Sequence, residues 1–348
     1  MIIYIVVAIL VACIVNLIYK KQKQYSFANK HVLVIGGSSG IGKELVYQLL
    51  KENVSTISVV SRDIKKLEAV ITDEPSELKS KIKVYACDIT KKELVKKTIE
   101  TIINENGDIH CLVNCAGLAV PGYFIEQDVE VFEKTMSLDY FGTLYVTKEV
   151  VPHMISRGIK GYIVFVSSTL GLVSISGYST YSPAKFAVAA LAETLRSELK
   201  PYGIRFSVVY PPDTDTPGYE QENLTKPEET KIISGGGKAV KAIEVAKEIV
   251  KGIRGGEYHI AYDMATRLCV VLSPGFTPFY YSFFDIALAP ICRLVGFIAM
   301  NQNDNEVLKA FRNKSSTSNA SHNTTNSSSS SQPNQPLKKR NSKSPIVE

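Results

Sequence analysis

A chain of 348 residues with 45% hydrophobic content is long enough to bury one large core or two smaller ones. The net charge of +6 is modest, and Lys and Arg are spread along the chain apart from clusters after the first hydrophobic segment and in the tail. That pattern is one of solvated faces and a membrane-flanking patch, and it argues against a nucleic-acid partner. Six cysteines without a CxxC pair argue against a disulfide framework and for reduced thiols, and five scattered histidines offer no metal site.

Ile2 to Tyr19 is free of charge and is followed by Lys20, Lys21 and Lys23. Eighteen helical residues reach about 27 Å, close to the roughly 30 Å of a hydrocarbon core. No basic n-region or small-residue cleavage site marks a signal peptide, so the reading is a retained anchor over residues 1–25 with its basic flank. The lysines place the rest of the chain in the cytosol.

From Asn29 the pattern alternates strand and helix. His31 to Ile35 reads as a buried strand, and Gly36-Gly37-Ser38-Ser39-Gly40-Ile41-Gly42 as a turn opening a helix to Lys51. Glycines admit a diphosphate close to the backbone, and the helix N-terminus offers free N–H groups, so Gly36, Ser38, Ser39, Gly40, Ile41 and Gly42 are candidate nucleotide ligands. The second strand, Thr56 to Val60, ends in Ser61-Arg62 with no acidic residue for a ribose hydroxyl. Arg62 there suits a 2′-phosphate and so NADP rather than NAD. Strands at Ile82 to Ala86 and Ile109 to Val113 flank a helix near Lys91 to Ile103. They lead to Asp88 and Ile89, placed to reach adenine, and to Asn114, Ala116 and Gly117, placed at the pocket floor. Such strand ends are where open α/β sheets bind ligands, and the expected fold is an α/β doubly wound parallel sheet.

Val129 to Met154 reads as a long core helix. Gly161 to Ala190 then runs from an apolar strand through a Gly/Ser loop into another helix. Tyr181 and Lys185 lie four apart on one face of it. A Lys ammonium about 4 Å away, at an effective dielectric of about 20, is worth roughly 4 kcal/mol, enough to pull a phenol down towards neutrality. Ser168 brings a second hydroxyl to the same carbonyl oxygen. The same Tyr/Lys spacing recurs at Tyr19/Lys23 and Tyr47/Lys51, where a solvated face explains it.

After a strand at Gly203 to Tyr210, Pro211, Pro212 and Pro217 are expected to stop regular structure and make Asp213 to Lys231 a lid over the substrate. Pro211, Thr214 and Thr216 border the cofactor, and Asp213, Asp215, Glu220 and Glu222 read first as a charged solvated loop, with one of them able to pair with a substrate ammonium as the alternative. A helix near Ala242 to Ile253 and a strand at Tyr258 to Ala261 finish the sheet and close a domain over 29–265. Residues 266–300, apolar and broken by prolines, suit an interfacial or re-entrant membrane segment. Residues 301–348 are Ser/Asn-rich and expected to be disordered.

Gly36 to Gly42, Asn114-Cys115-Ala116-Gly117, Ser168, Tyr181 to Lys185 and Pro211 to Thr216 together resemble the short-chain dehydrogenase/reductase superfamily over about Asn29 to Asp263. The anchor and Val208 to Thr230 narrow the resemblance to its membrane-anchored reductases of long-chain 3-keto amines, enzymes of sphingolipid synthesis. This resemblance implies NADPH as cofactor, an endoplasmic reticulum membrane with the site facing the cytosol, contact with membrane lipids, and pairing of subunits through helices following Phe141 and Tyr181. It also implies Tyr181 as proton donor, Lys185 on the cofactor ribose and Ser168 polarising the ketone. The chain departs from the superfamily at two positions: Ile35 replaces a Thr, and Asp139 stands for an Asn that completes a proton relay to the lysine. Asp139 is therefore a fourth catalytic candidate. Two other readings stay open, a reductase of another lipid, steroid or retinoid carbonyl and a nucleotide-binding membrane scaffold without turnover.

Overall fold

A computed structural model describes residues 24–74, 77–234 and 238–272, with single positions at 290, 305 and 312. The expected anchor at Ile2 to Tyr19, most of the apolar segment 266–300 and the polar tail lie outside the described residues. Among the described residues no helix is long and apolar enough to cross a membrane.

Seven strands form one parallel sheet: β1 His31–Ile35, β2 Thr56–Ser61, β3 Ile82–Ala86, β4 Ile109–Asn114, β5 Tyr162–Val166, β6 Arg205–Tyr210 and, at one edge, His259–Ala261. Their order runs β3-β2-β1-β4-β5-β6 and then the edge strand. The chain reverses its winding between β1 and β4, so the strand ends there part to leave a crevice. Every residue of β1 and β5 is buried. Such strands read as continuous apolar runs because helices cover both faces.

One face is packed by α1 (Gly40–Leu50) through Leu45, Val46 and Leu49, and by the amphipathic helix Ala242–Gly255 through Val245, Ile249 and Ile253. The opposite face is packed by the helices Lys92–Asn106, Thr143–Ser156 and Ser182–Glu198 through Ile99, Ile102, Val146, Val150, Val188 and Ala192.

Three differences from the sequence expectation have physical causes. Ile64–Thr72 is a helix that sequence reading leaves unassigned, and Asp63 caps it by accepting from the amides of Lys65 and Lys66. The 129–156 stretch is helical throughout, but Ser137–Gly142 widens into a π-turn with Asp139 inside it. Pro217 begins a helix instead of stopping one: Thr216 caps Pro217–Thr225 by accepting from Tyr219 N, and proline suits a first helical position because no N–H is needed there. A second short helix, Glu228–Ile233, follows, so the expected irregular lid carries two helices.

Candidate active site

A cavity of about 790 Å³ opens over the C-terminal ends of the central strands. Its floor at one end is the glycine loop after β1. Gly36 has φ +81°, and a Cβ there would sit 2.6 Å from the backbone of Ala116, so the loop needs glycine for both its conformation and its contact with the turn after β4. Ser39 takes the N-cap of α1 without its side chain bonding the first-turn amides, which leaves N–H groups for an anion. Ser38 donates to Ser61 Oγ at 2.7 Å, tying the loop to the end of β2. A Cβ on Gly40 would lie 2.9 Å from Thr216, which places the start of the lid against the same loop.

Of the residues expected to hold the cofactor, Gly36, Ser38 to Gly42, Arg62, Ile89, Ala116, Gly117, Lys185, Pro211, Thr214 and Thr216 line this single cavity. Two stand behind its wall. Asp88 turns its carboxylate onto Thr90, with 3.0 Å to the amide and 2.8 Å to the hydroxyl, while Cys87 and Ile89 face the cavity on either side of it. Asn114 is buried and donates to Thr147 Oγ1 at 3.3 Å, bracing β4 against the helix Thr143–Ser156. Sequence reading missed Lys66, one turn beyond Arg62 in the cavity wall. Its signal was a second cation at helical spacing, visible only if Ile64–Thr72 is assigned as helix.

At the other end stand Ser168, Tyr181 and Lys185. Ser168 follows β5 in extended backbone and accepts from Leu170 N at 3.1 Å, so its own proton is free to donate. Tyr181 precedes the helix Ser182–Glu198, and Lys185 lies one turn on, its Nζ 5.4 Å from the Tyr181 ring centre and 3.3 Å from Val166 O. Ser167 Oγ donates to Lys185 O at 2.9 Å, fixing that helix to the end of β5. The repeated spacing at Tyr47/Lys51 has no such setting: Tyr47 bonds Val70 O on the flank of α1. Tyr19/Lys23 lies outside the described residues.

Asp139 is 0% exposed, and its Oδ2 lies 3.2 Å from Lys185 Nζ. Oδ1 accepts from Leu118 N at 2.8 Å, and the Asp139 carbonyl accepts from Thr143 Oγ1 at 2.7 Å. Carboxylate and ammonium close over Gly117, where a Cβ would sit 2.9 Å from Lys185 Nζ. Burial pushes the Asp139 carboxyl up, and Lys185 opposes that. Lys185 itself is raised: the loss of hydration lowers it, but the charges of Asp139 and Tyr181 together prevail.

Burial corrects the expectation of an acidified phenol. Tyr181 is pushed up to about 12, because burial comes first and Asp139 adds to it, against the pull of Lys185 and the hydrogen bond from Ser168. The phenol is therefore protonated at neutral pH, the state a proton donor needs. A cation at that position can stabilise a phenolate once such a proton is given.

A second group at the mouth was only partly legible. Tyr178 donates to Glu222 Oε1, Lys226 Nζ lies 3.0 Å from the same oxygen and 4.0 Å from Asp213, and Tyr219 OH donates to Asp213 at 3.1 Å. Sequence reading singled out Asp213 and Glu222 but missed Tyr178 and Lys226, whose partners are set by the tertiary fold. Thr214, expected at the cofactor, gives its hydroxyl to Pro212 O at 2.7 Å.

The comparisons agree with this fold. A family model described as short chain dehydrogenase matches residues 30–227. A 3-ketodihydrosphingosine reductase of Dictyostelium discoideum is 66% identical over 330 residues, covering 90% of this chain and 99% of that protein. A 3-dehydrosphinganine reductase of Danio rerio is 37% identical over 282 residues, covering 78% and 84%. Among solved structures, a short chain dehydrogenase/reductase of Burkholderia phymatum in complex with NAD has a TM-score of 0.64 at 20% identity, covering 76% of this chain and 96% of that one. ElxO with NADP bound has a TM-score of 0.59 at 26% identity, covering 67% and 98%. The chain belongs to the short chain dehydrogenase family, and within it to the group of the 3-ketodihydrosphingosine reductases.

Proposed function

We propose that the protein uses NADPH to reduce the C3 ketone of 3-ketosphinganine, giving sphinganine for sphingolipid synthesis. The carrying observation is one cavity with a glycine-walled anion cradle at one end and Ser168, Tyr181 and Lys185 at the other. NADPH supplies the hydride that C3 receives. The amides opening α1 hold its diphosphate, Arg62 and Lys66 its 2′-phosphate, Lys185 its ribose, and Thr214 with Thr216 flank the nicotinamide end.

The residues divide the remaining work. Ser168 donates to the ketone oxygen and makes C3 more electrophilic. Tyr181 gives that oxygen its proton as C3 becomes the alcohol carbon, and Lys185, whose Nζ lies 5.4 Å from the Tyr181 ring centre, stabilises the resulting phenolate. Asp139 holds Lys185 in place and stands where the superfamily relay uses an amide, so it can take part in returning a proton to Tyr181.

The membrane belongs to the same proposal. Ile2 to Tyr19 serves as the anchor, with the catalytic domain on the cytosolic face of the endoplasmic reticulum. A second groove of about 370 Å³ shares Ile175 and Tyr178 with the main cavity and continues past Tyr123 and Phe124, which suits an acyl chain. Phe124 is 68% exposed and Ile125 90% exposed beside it.

The test is NADPH absorbance loss in membranes carrying the protein, first with 3-ketosphinganine and then with sterol and retinoid carbonyls. Turnover confined to the amino ketone supports the proposal. Turnover of the other carbonyls alone replaces it with a different lipid reductase, and silence towards all of them favours a scaffold.

A further inference from the structure

Substrate choice at this site needs a group that tells an amino ketone from a plain one, and two carboxylates, Asp213 and Glu222, line the cavity with one oxygen engaged; of the two, Glu222 is the one whose charge reaches Tyr181. Glu222, on the helix Pro217–Thr225, lines the cavity together with Tyr178, Tyr181 and Asp213. The hydrogen bond from Tyr178 and the ion pair with Lys226 both fall on Oε1. Oε2 has no hydrogen-bond partner among the described residues. A carboxylate with one oxygen pinned and the other open is oriented for a further donor.

The surrounding charges favour a cation. Lys226, whose side chain is 1% exposed, lies between Glu222 at 3.0 Å and Asp213 at 4.0 Å. Two carboxylates around one ammonium leave a negative charge in excess on the cavity side. Lys226 also packs 4.7 Å from the Tyr219 ring and 5.7 Å from that of Tyr178, so its position is fixed by aromatic walls as well as by charge. Tyr178 is held neutral by burial and by Glu222 itself, and so remains a donor.

The location matches the substrate's geometry. The Tyr178 and Tyr181 rings have centres 6.0 Å apart, and Glu222 is near enough to Tyr181 to oppose its ionisation. In a 2-amino-3-ketone the ammonium sits on the carbon next to the carbonyl. With the carbonyl oxygen at Ser168 and Tyr181, that ammonium falls beside the wall that Tyr178 and Glu222 form.

We infer that Glu222 is the specificity-determining residue for the amino group: its Oε2 accepts a hydrogen bond from the substrate ammonium, while Tyr178 and Lys226 hold the carboxylate in position. The inference rests on the reduction proposed above. It also gives the helix Pro217–Thr225 a definite task, since placing the ammonium fixes which atom of the lipid faces Tyr181.

The experiment compares kcat/KM for 3-ketosphinganine with that for its 2-deamino analogue in full-length wild type, Glu222→Gln and Glu222→Gln/Lys226→Met. NADPH binding by fluorescence serves as the folding control. Wild type should prefer the amine by about tenfold to a hundredfold, the range of a charge-assisted hydrogen bond, and Glu222→Gln should abolish most of that preference through KM. The double variant removes the unpaired lysine that the single one leaves buried and should show the same loss. A preference retained in either folded variant, both substrates slowed alike, or no preference in wild type overturns the assignment while leaving the reductase intact. Silence of wild type towards both substrates removes the reductase and the assignment with it.

Discussion

Asp139 is where a single side chain most alters the chemistry. Its charge raises both Tyr181 and Lys185, so Asp139→Asn should lower the Tyr181 pKa. Reduction needs the protonated phenol, so the alkaline limb of its pH profile moves to lower pH, while the acid limb of the reverse oxidation, which needs phenolate, moves the same way. Substantial activity is expected to remain, because the amide can still accept from Leu118 N. Complete loss of turnover in a folded variant, or an unmoved profile, contradicts this. Gly117 gives a second prediction: Gly117→Ala brings a methyl to 2.9 Å from Lys185 Nζ and should cost at least tenfold in kcat, against about twofold for an alanine at Gly255, where a Cβ would meet nothing closer than 3.5 Å. Steady-state kinetics of the two variants decide it. Ser168, Tyr181 and Lys185 were legible because one strand, one loop and one helix carry them in sequence. Burial of the phenol raises Tyr181 first, and the partner that adds to it, Asp139, comes from a π-turn about forty residues upstream whose burial no local pattern announces.

The elements around the cofactor divide into those the sequence marks and those it hides. The glycine loop is readable because Gly36 is forced by its close approach to Ala116 and Gly42 by its approach to the Gly36 carbonyl. The helix Ile64–Thr72 is short and bears Lys65 and Lys66 in its first turn, so its apolar face is only Leu67 and Val70, too brief a stripe to stand out. With it came the second cation of the 2′-phosphate site. Arg62→Ala/Lys66→Ala should therefore raise KM for NADPH by about tenfold to a hundredfold and leave KM for NADH within about threefold. Equal effects on the two cofactors would remove both residues from phosphate recognition. The lid was misread as irregular because prolines were taken as breakers, whereas Pro217 follows the capping Thr216 and starts a helix.

At the scale of the whole molecule, two packed faces hold the sheet, and all the expected cofactor and catalytic side chains except Asp88, Asn114 and Asp139 line one cavity above it. The proposed anchor is the charge-free run Ile2 to Tyr19 with Lys20, Lys21 and Lys23 behind it. Full-length protein should accordingly stay in the pellet when membranes are washed with alkaline carbonate, and its release would contradict an anchored chain. The central claim is that Tyr181 delivers the proton that turns the ketone into an alcohol. A single-turnover measurement of NADPH oxidation with 3-ketosphinganine tests it most directly, comparing wild type with Tyr181→Phe at matched cofactor occupancy. The account predicts a fall of about a hundredfold to ten-thousandfold with NADPH affinity preserved. A rate within threefold of wild type would contradict it.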